Sequence, residues 1–230
     1  MKFVFIFALM AVLAPQPAPR FERLAFTMPK GAAVTYGLAV PADYDRRQPR
    51  PLVLALHPGG RAPYYGDSVM RNLYFPGLSD LAPIMVAPDV PSASWTDPES
   101  EQAVIALLDQ IAGDYTVDRR RVLVIGFSAG ARGTWFLSSR HADLFTSAIV
   151  VAGRTDEPVE QLGKMPTYII HSRADEQVPF EQAERRASAL ERLGRPVKFE
   201  ALSTAGHYDM GSYLDSIRRA GSWIKERWER

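Results

Sequence analysis

The chain has 230 residues, 47% of them hydrophobic and 23% charged, which suits a globular protein long enough to bury a substantial core. Lysine and arginine total 27 against 26 aspartates and glutamates, a formal net charge of +1 that gives no reason to expect nucleic acid or an anionic membrane surface as partner. The absence of cysteine excludes disulfides, thiol catalysis and thiolate metal sites.

Lys2 precedes the apolar run "FVFIFALMAVLA", and "PQPAP" follows it, the pattern of a secretory signal. The run is shorter than the roughly 20 residues of a bilayer span, so no stable membrane span is expected. Residues 1–19 therefore read as a signal peptide or uncleaved N-terminal anchor of a secreted or periplasmic protein, and residues 20–230 as one domain. "AVTYGLAVP" reads as an early strand, and "RPLVLALHPGG" and "APIMVAPD" as continuous apolar runs of strands buried on both faces. "PESEQAVIALLDQIAGDY" has apolar positions at helical spacing, with Glu99 and Glu101 in its first turn, where they favour the helix dipole. "RRVLVIGF" is a strand, and a helix is expected from Ala129 to about His141. Two strands, "FTSAIVVAG" and "MPTYIIHSRAD", precede the helix "PFEQAERRASALERLG", with Gly194 as its stop. "PVKFEAL" is a last strand and "SYLDSIRRAGSWIKERW" a final amphipathic helix. This alternation predicts an α/β protein, a doubly wound and mostly parallel sheet with helices on both faces.

Between strand and helix stands Gly126-Phe127-Ser128-Ala129-Gly130, a G-x-S-x-G match in the context that gives it meaning. A serine on such a bend projects its oxygen above the sheet edge, and the flanking positions must be small because backbone approaches backbone there. A serine needs a base to become a nucleophile. Of His57, His141, His171 and His207, only His207 lies in a loop between the last strand and the last helix, at the carboxyl edge of a doubly wound sheet. The other three read as packing or loop-ordering residues. The carboxylate that would orient His207 is expected to be Asp175, after a strand end, with Asp156 and Glu157 as the alternatives and Glu176 an immediate neighbour. Asp209 is too near His207 in the chain for that task and is expected to cap the final helix. Two backbone N–H donors to an oxyanion are expected from Ala129, directly after the serine, and from Gly59, because Pro58 has no N–H; Gly60 is the fallback.

With these residues in view, the chain resembles the α/β-hydrolase superfamily, and within it the secreted esterases related to polyhydroxybutyrate depolymerases and feruloyl esterases. The likeness is carried by "RPLVLALHPGG", "GFSAGARGTWFLSSRHADLF", "HSRADEQVPF" and "AGHY". It implies hydrolysis of small-molecule or polymer-linked carboxylic esters by Ser128, Asp175 and His207, with no metal or organic cofactor. Pro58 departs from the His-Gly usual in the oxyanion loop of these enzymes. Residues 153–166 hold no long insertion where larger relatives carry a cap domain. An open site is expected, bordered by "RAPYYGDSVMRN" and "PDVPSASWTD", with Tyr64, Tyr65, Trp95 and Tyr208 as candidate substrate-facing aromatics or packing residues. Two rival readings are a serine peptidase of the prolyl-oligopeptidase type and a catalytically silent binding protein of the cell envelope.

Overall fold

The computed structural model describes residues 18–28, 33–162 and 164–230; residues 1–17, which make up nearly all of the expected signal or anchor, lie outside them. Eight strands form one sheet in the order β1-β2-β4-β3-β5-β6-β7-β8. The strands are β1 (Arg20–Thr27), β2 (Ala33–Val40), β3 (Arg50–Leu56), β4 (Ile84–Pro88), β5 (Val117–Phe127), β6 (Ser147–Val151), β7 (Thr167–Ser172) and β8 (Val197–Leu202). β1 pairs with β2, and β2 with β4, in antiparallel fashion, and all later pairings are parallel. Leu56 stands opposite Gly126, Phe127 opposite Val151 and Ser172 opposite Leu202, so the carboxyl ends of these strands share one edge. Reversals of strand order at such an edge create the crevice where ligands bind.

The continuous apolar runs have the cause anticipated from the sequence, because helices cover both faces. On one face Leu123, Ile125 and Phe127 pack with Leu73, Tyr74, Tyr213 and Ile217. On the other, Val122 and Val124 pack with Val104, Leu107 and Ile111 of α3 (Pro98–Asp114). Ile169 and Val150 pack with Trp135 of α4 (Ala129–Arg140) and with Ala187 and Leu190 of α5 (Phe180–Arg192). Pro98 in the first turn of α3, just after Asp97, and the left-handed Gly194 after α5 (φ 67°) mark helix ends as expected. The last helix is α6 (Leu214–Trp228). Among the described residues, no helix is long and apolar enough to cross a membrane.

Two features differ from the sequence expectations. "RFERLAFT" forms β1, an edge strand whose polar residues alternate with partly buried ones. The segment expected to border the site, to which the sequence reading gave no element, is helical from Tyr65: α1 (Tyr65–Val69), a π-helical turn (Met70–Tyr74), α2 (Phe75–Leu78) and a 3-10 turn (Ser79–Leu81). Val69, Met70, Leu73 and Tyr74 of this segment are buried in the core.

The π-helical turn has a consequence for the sheet edge. Tyr74, fully buried, donates its hydroxyl to the Leu56 carbonyl at the end of β3, at 2.8 Å. Replacing Tyr74 by Phe leaves that carbonyl short of a donor and is expected to lower stability by about 1 kcal/mol. The check is a shift in the urea midpoint with an unchanged denaturant slope.

Candidate active site

Ser128 occupies the bend between β5 and α4 with φ 53° and ψ −113°, a conformation that L-residues rarely adopt. The flanking glycines explain how the bend closes. A Cβ on Gly126 would lie 2.1 Å from the Gly130 carbonyl oxygen, and one on Gly130 would lie 2.2 Å from that of Leu56. Any larger residue at either position would push α4 off the sheet.

The structure brings Ser128, His207 and Asp175 together, although they are far apart in the chain. His207 Nε2 lies 2.8 Å from Ser128 Oγ, and Nδ1 lies 3.0 and 2.9 Å from the two Asp175 carboxylate oxygens. A carboxylate accepts, so Nδ1–H donates to Asp175, and Nε2 is left free to accept the Ser128 hydroxyl proton. The Asp175 side chain is fully buried, and further donors hold its carboxylate: the N–H groups of Gln177 and Val178 reach Oδ1 at 2.9 and 2.8 Å. Phe127, next to the serine, packs its ring 5.6 Å from the imidazole. Glu176, which the sequence offered only as a neighbour of Asp175, accepts the His207 backbone N–H at 3.0 Å and so ties the two loops together.

The other expected residues are placed as follows. Asp156 is exposed and meets Arg132 at 3.1 Å instead of a histidine. Asp209 starts the 3-10 turn Met210–Tyr213, receiving the Ser212 hydroxyl, while α6 itself begins one turn later. Ala129 and Gly59 are both exposed and line one cavity of about 110 Å³ with His57, Pro58, Gly60 and Trp95. Trp95, one of the four candidate aromatics, is 3% exposed, and its indole N–H donates to the His57 carbonyl at 3.0 Å, so it braces this loop from within. Tyr64 lies beneath the Arg23 guanidinium of β1, and Tyr65 packs 4.9 Å from the His57 ring. Tyr208 alone is widely exposed, at 75%, with its ring 5.4 Å from that of His207.

Two further histidines end strands beside this site. His57 donates from Nδ1 to the Pro58 carbonyl at 2.5 Å and accepts the Val90 N–H on Nε2 at 3.0 Å, which requires one neutral tautomer. His171 lies against Asp175 Oδ2 at 3.3 Å and reaches the Val178 carbonyl at 2.9 Å from the same Nε2. Burial holds both rings below the ordinary histidine value, with hydrogen bonds to Pro58 and Val178 pulling the other way.

A family model described as the dienelactone hydrolase family matches residues 92–211. "Probable feruloyl esterase C" of Aspergillus niger is 27% identical over 158 residues, covering 64% of this chain and 56% of that protein. "Feruloyl esterase C" of Emericella nidulans is 28% identical over 123 residues, covering 51% of this chain and 46% of its own. The chain thus spans about half the length of these curated relatives. Among solved structures, a thermostable esterase is 25% identical with a TM-score of 0.77, covering 90% of this chain and 62% of its own. A fluorophosphonate-binding serine hydrolase of Staphylococcus aureus, 14% identical, shares the fold with a TM-score of 0.74 over 90% of this chain and 99% of its own.

Because His57 and His171 are held neutral in the fold, the unfolded chain binds their protons more readily. Their contribution to stability is complete above the ordinary value of 6.5 and is lost as the pH falls below it. The loss has a ceiling of about 1.4 kcal/mol per pH unit for each ring. Melting temperatures measured from about pH 8 to about pH 5 are expected to fall, and to fall less in His57→Gln, which has no proton to take up there.

Proposed function

The chain belongs to the dienelactone hydrolase family, and from that premise we propose that it is a serine esterase that cleaves carboxylic esters through an acyl-enzyme. The observation that carries this reading is the chain of contacts from Asp175 through His207 to a serine held on a strained bend. His207 Nε2 takes the Ser128 hydroxyl proton as Oγ attacks the ester carbonyl. The developing oxyanion is held by backbone N–H groups of Ala129 and Gly59, which border one cavity beside the serine, at the positive end of α4. The imidazolium hands its proton to the departing alcohol. Water, activated by the same nitrogen, then releases the acid and restores Ser128.

Asp175 stays a carboxylate throughout and holds the ring in the tautomer that leaves Nε2 free. Glu176 keeps the His207 backbone at a fixed height above the sheet edge. Tyr208 offers an exposed aromatic face next to the base, fitted to stack against an aromatic acyl or sugar group of the ester. An amino-terminal signal within residues 1–19 would send the enzyme to the periplasm or out of the cell.

The test is hydrolysis of p-nitrophenyl esters from acetate to palmitate by the wild type and by Ser128→Ala. Loss of turnover on the order of 10⁴- to 10⁶-fold in the variant is the expected outcome. A fluorophosphonate that labels the wild type but not the variant separates an enzyme from a silent binding protein, and a parallel series of peptide anilides separates an esterase from a peptidase. Equal rates in the two proteins would overturn the assignment of the nucleophile.

A further inference from the structure

A cleft of about 530 Å³ lies between α5 and the segment after β6 (Gly153 to Val159), with Trp135 of α4 and Ile169 of β7 also in its lining. Its lining includes Arg154, Arg185, Arg186 and Arg192 but only one acid, Asp156, which is already paired with Arg132. None of these four arginines forms an ion pair among the described residues; Arg186 donates to the Thr155 carbonyl at 3.1 Å, which fixes its guanidinium at the rim. In a chain whose basic and acidic residues number 27 and 26, this local excess of positive charge stands out.

The arrangement on α5 is a helical face. Gln182, Arg185, Arg186, Ala189 and Arg192 recur at the spacing of three and four residues that brings side chains to one side. From Arg185 to Arg192 the helix rises about 10 Å, two turns. Positive groups dispersed over that length suit a ligand with single negative charges at intervals. They suit a phosphate less well, since a phosphate is gripped by donors converging on one point. The cleft floor also argues against a protein partner. Trp135 and Ile169 are each only 2% exposed and Ala183 5%, so the open apolar lining reduces to the half-buried Val159 and Ala189, beside guanidinium, amide and hydroxyl groups, and is a small surface for an anchoring side chain. Guanidinium forks pair with carboxylates, while Thr155, Gln182 and Asp156 provide partners for hydroxyl groups.

The cleft also abuts the backbone that carries the serine. Gly153, in its lining, is so close to the bend that a Cβ there would lie 3.1 Å from the Ser128 carbonyl oxygen. The Arg132 that holds Asp156 donates its backbone N–H to that same carbonyl. Ala152, just before Gly153, has φ 48°, so strained backbone stands on both sides of this junction.

We propose that the α5 cleft is a binding site for an extended acidic saccharide chain, whose carboxylates pair with Arg185, Arg186, Arg192 and Arg154. Through Gly153 the cleft adjoins the main chain of Ser128, and any link from it to catalysis rests on the esterase reading above.

The experiment is titration calorimetry with trigalacturonate, using xylotriose as the uncharged control and hexaglutamate as an acidic peptide, on the Ser128→Ala protein. Trigalacturonate is expected to bind, more weakly as salt is raised, and xylotriose is not. Combining Arg185→Gln with Arg192→Gln is expected to weaken trigalacturonate binding by at least about tenfold. Arg154→Gln, on the opposite wall, should weaken it in the same direction, and melting temperatures equal to that of the parent show that each variant is folded. Absence of trigalacturonate binding, or unchanged affinity in the folded variants, overturns the proposal, as does tighter binding of hexaglutamate, which would make the cleft a peptide site. Binding is read on a protein without the serine hydroxyl. A failed ester assay with trigalacturonate binding intact would therefore remove the hydrolytic assignment and leave the cleft standing.

Discussion

Everything at the sheet edge depends on how closely α4 can approach β3 and β5. Two missing Cβ atoms, at Gly126 and Gly130, let backbone touch backbone where any side chain would collide with a carbonyl group. Because these contacts are between main chains, no rearrangement of flexible side chains relieves them. Only after that approach does the chain turn through the strained Ser128 conformation, and only then do the first N–H groups of α4 face the end of β3. The strain at Ser128 is offset by the strand and helix that grip it on either side, including its own N–H, which donates to the Val151 carbonyl at 2.9 Å.

Three histidines gather at this edge, and their environments divide the work among them. His57 and His171 are buried at strand ends, His57 with both ring nitrogens on backbone groups and His171 with Nε2 on the Val178 carbonyl, and burial holds both below the ordinary histidine value. His57 draws the Pro58 loop and the Val90 segment onto one ring, and Trp95 clamps its carbonyl from below. His171 lies against the same carboxylate that orients His207. His207 differs in that one nitrogen meets a carboxylate and the other a hydroxyl, the pairing that moves a proton between oxygen and ring.

The sheet from β2 onward was legible because most of its strands are runs of apolar residues bounded by glycine, proline or a charged turn, with β8 (VKFEAL) read from its alternation. Helices α3, α5 and α6 announced themselves by periodicity, helped by the acidic first turn of α3 and the glycine after α5. β1 escaped because an edge strand needs apolar residues on one side only, and Arg20, Glu22 and Arg23 hide the alternation. The stretch from Tyr65 to Leu81 escaped for another reason: Gly66, Pro76 and Gly77 break its pattern, and the π-helical turn at Met70–Tyr74 shifts its phase in mid-course. At the site, strand ends and chain order pointed to Ser128, Asp175 and His207. The grip of Glu176 on a backbone N–H and the burial of Trp95 are tertiary facts with no local signal. An aromatic in a polar loop such as "PSASWTD" looks the same whether its ring is inside or out.

The short connection after β6 matters for the same physical reason. Among the described residues, the chain between β6 and β7 makes only a 3-10 turn (Val159–Gln161), so the arginine-bearing face of α5 is left uncovered beside the serine. Arg185, Arg186 and Arg192 form no ion pair among the described residues, although Glu181 stands four residues before Arg185, so their charge is left to solvent or an anion. The same face could have been relieved by a glutamate at Ala189, between Arg185 and Arg192 at helical spacing, but a small residue stands there. The glycine-enabled bend and the charged cleft meet at one junction, Ala152-Gly153, where β6 ends and the backbone turns out of the sheet.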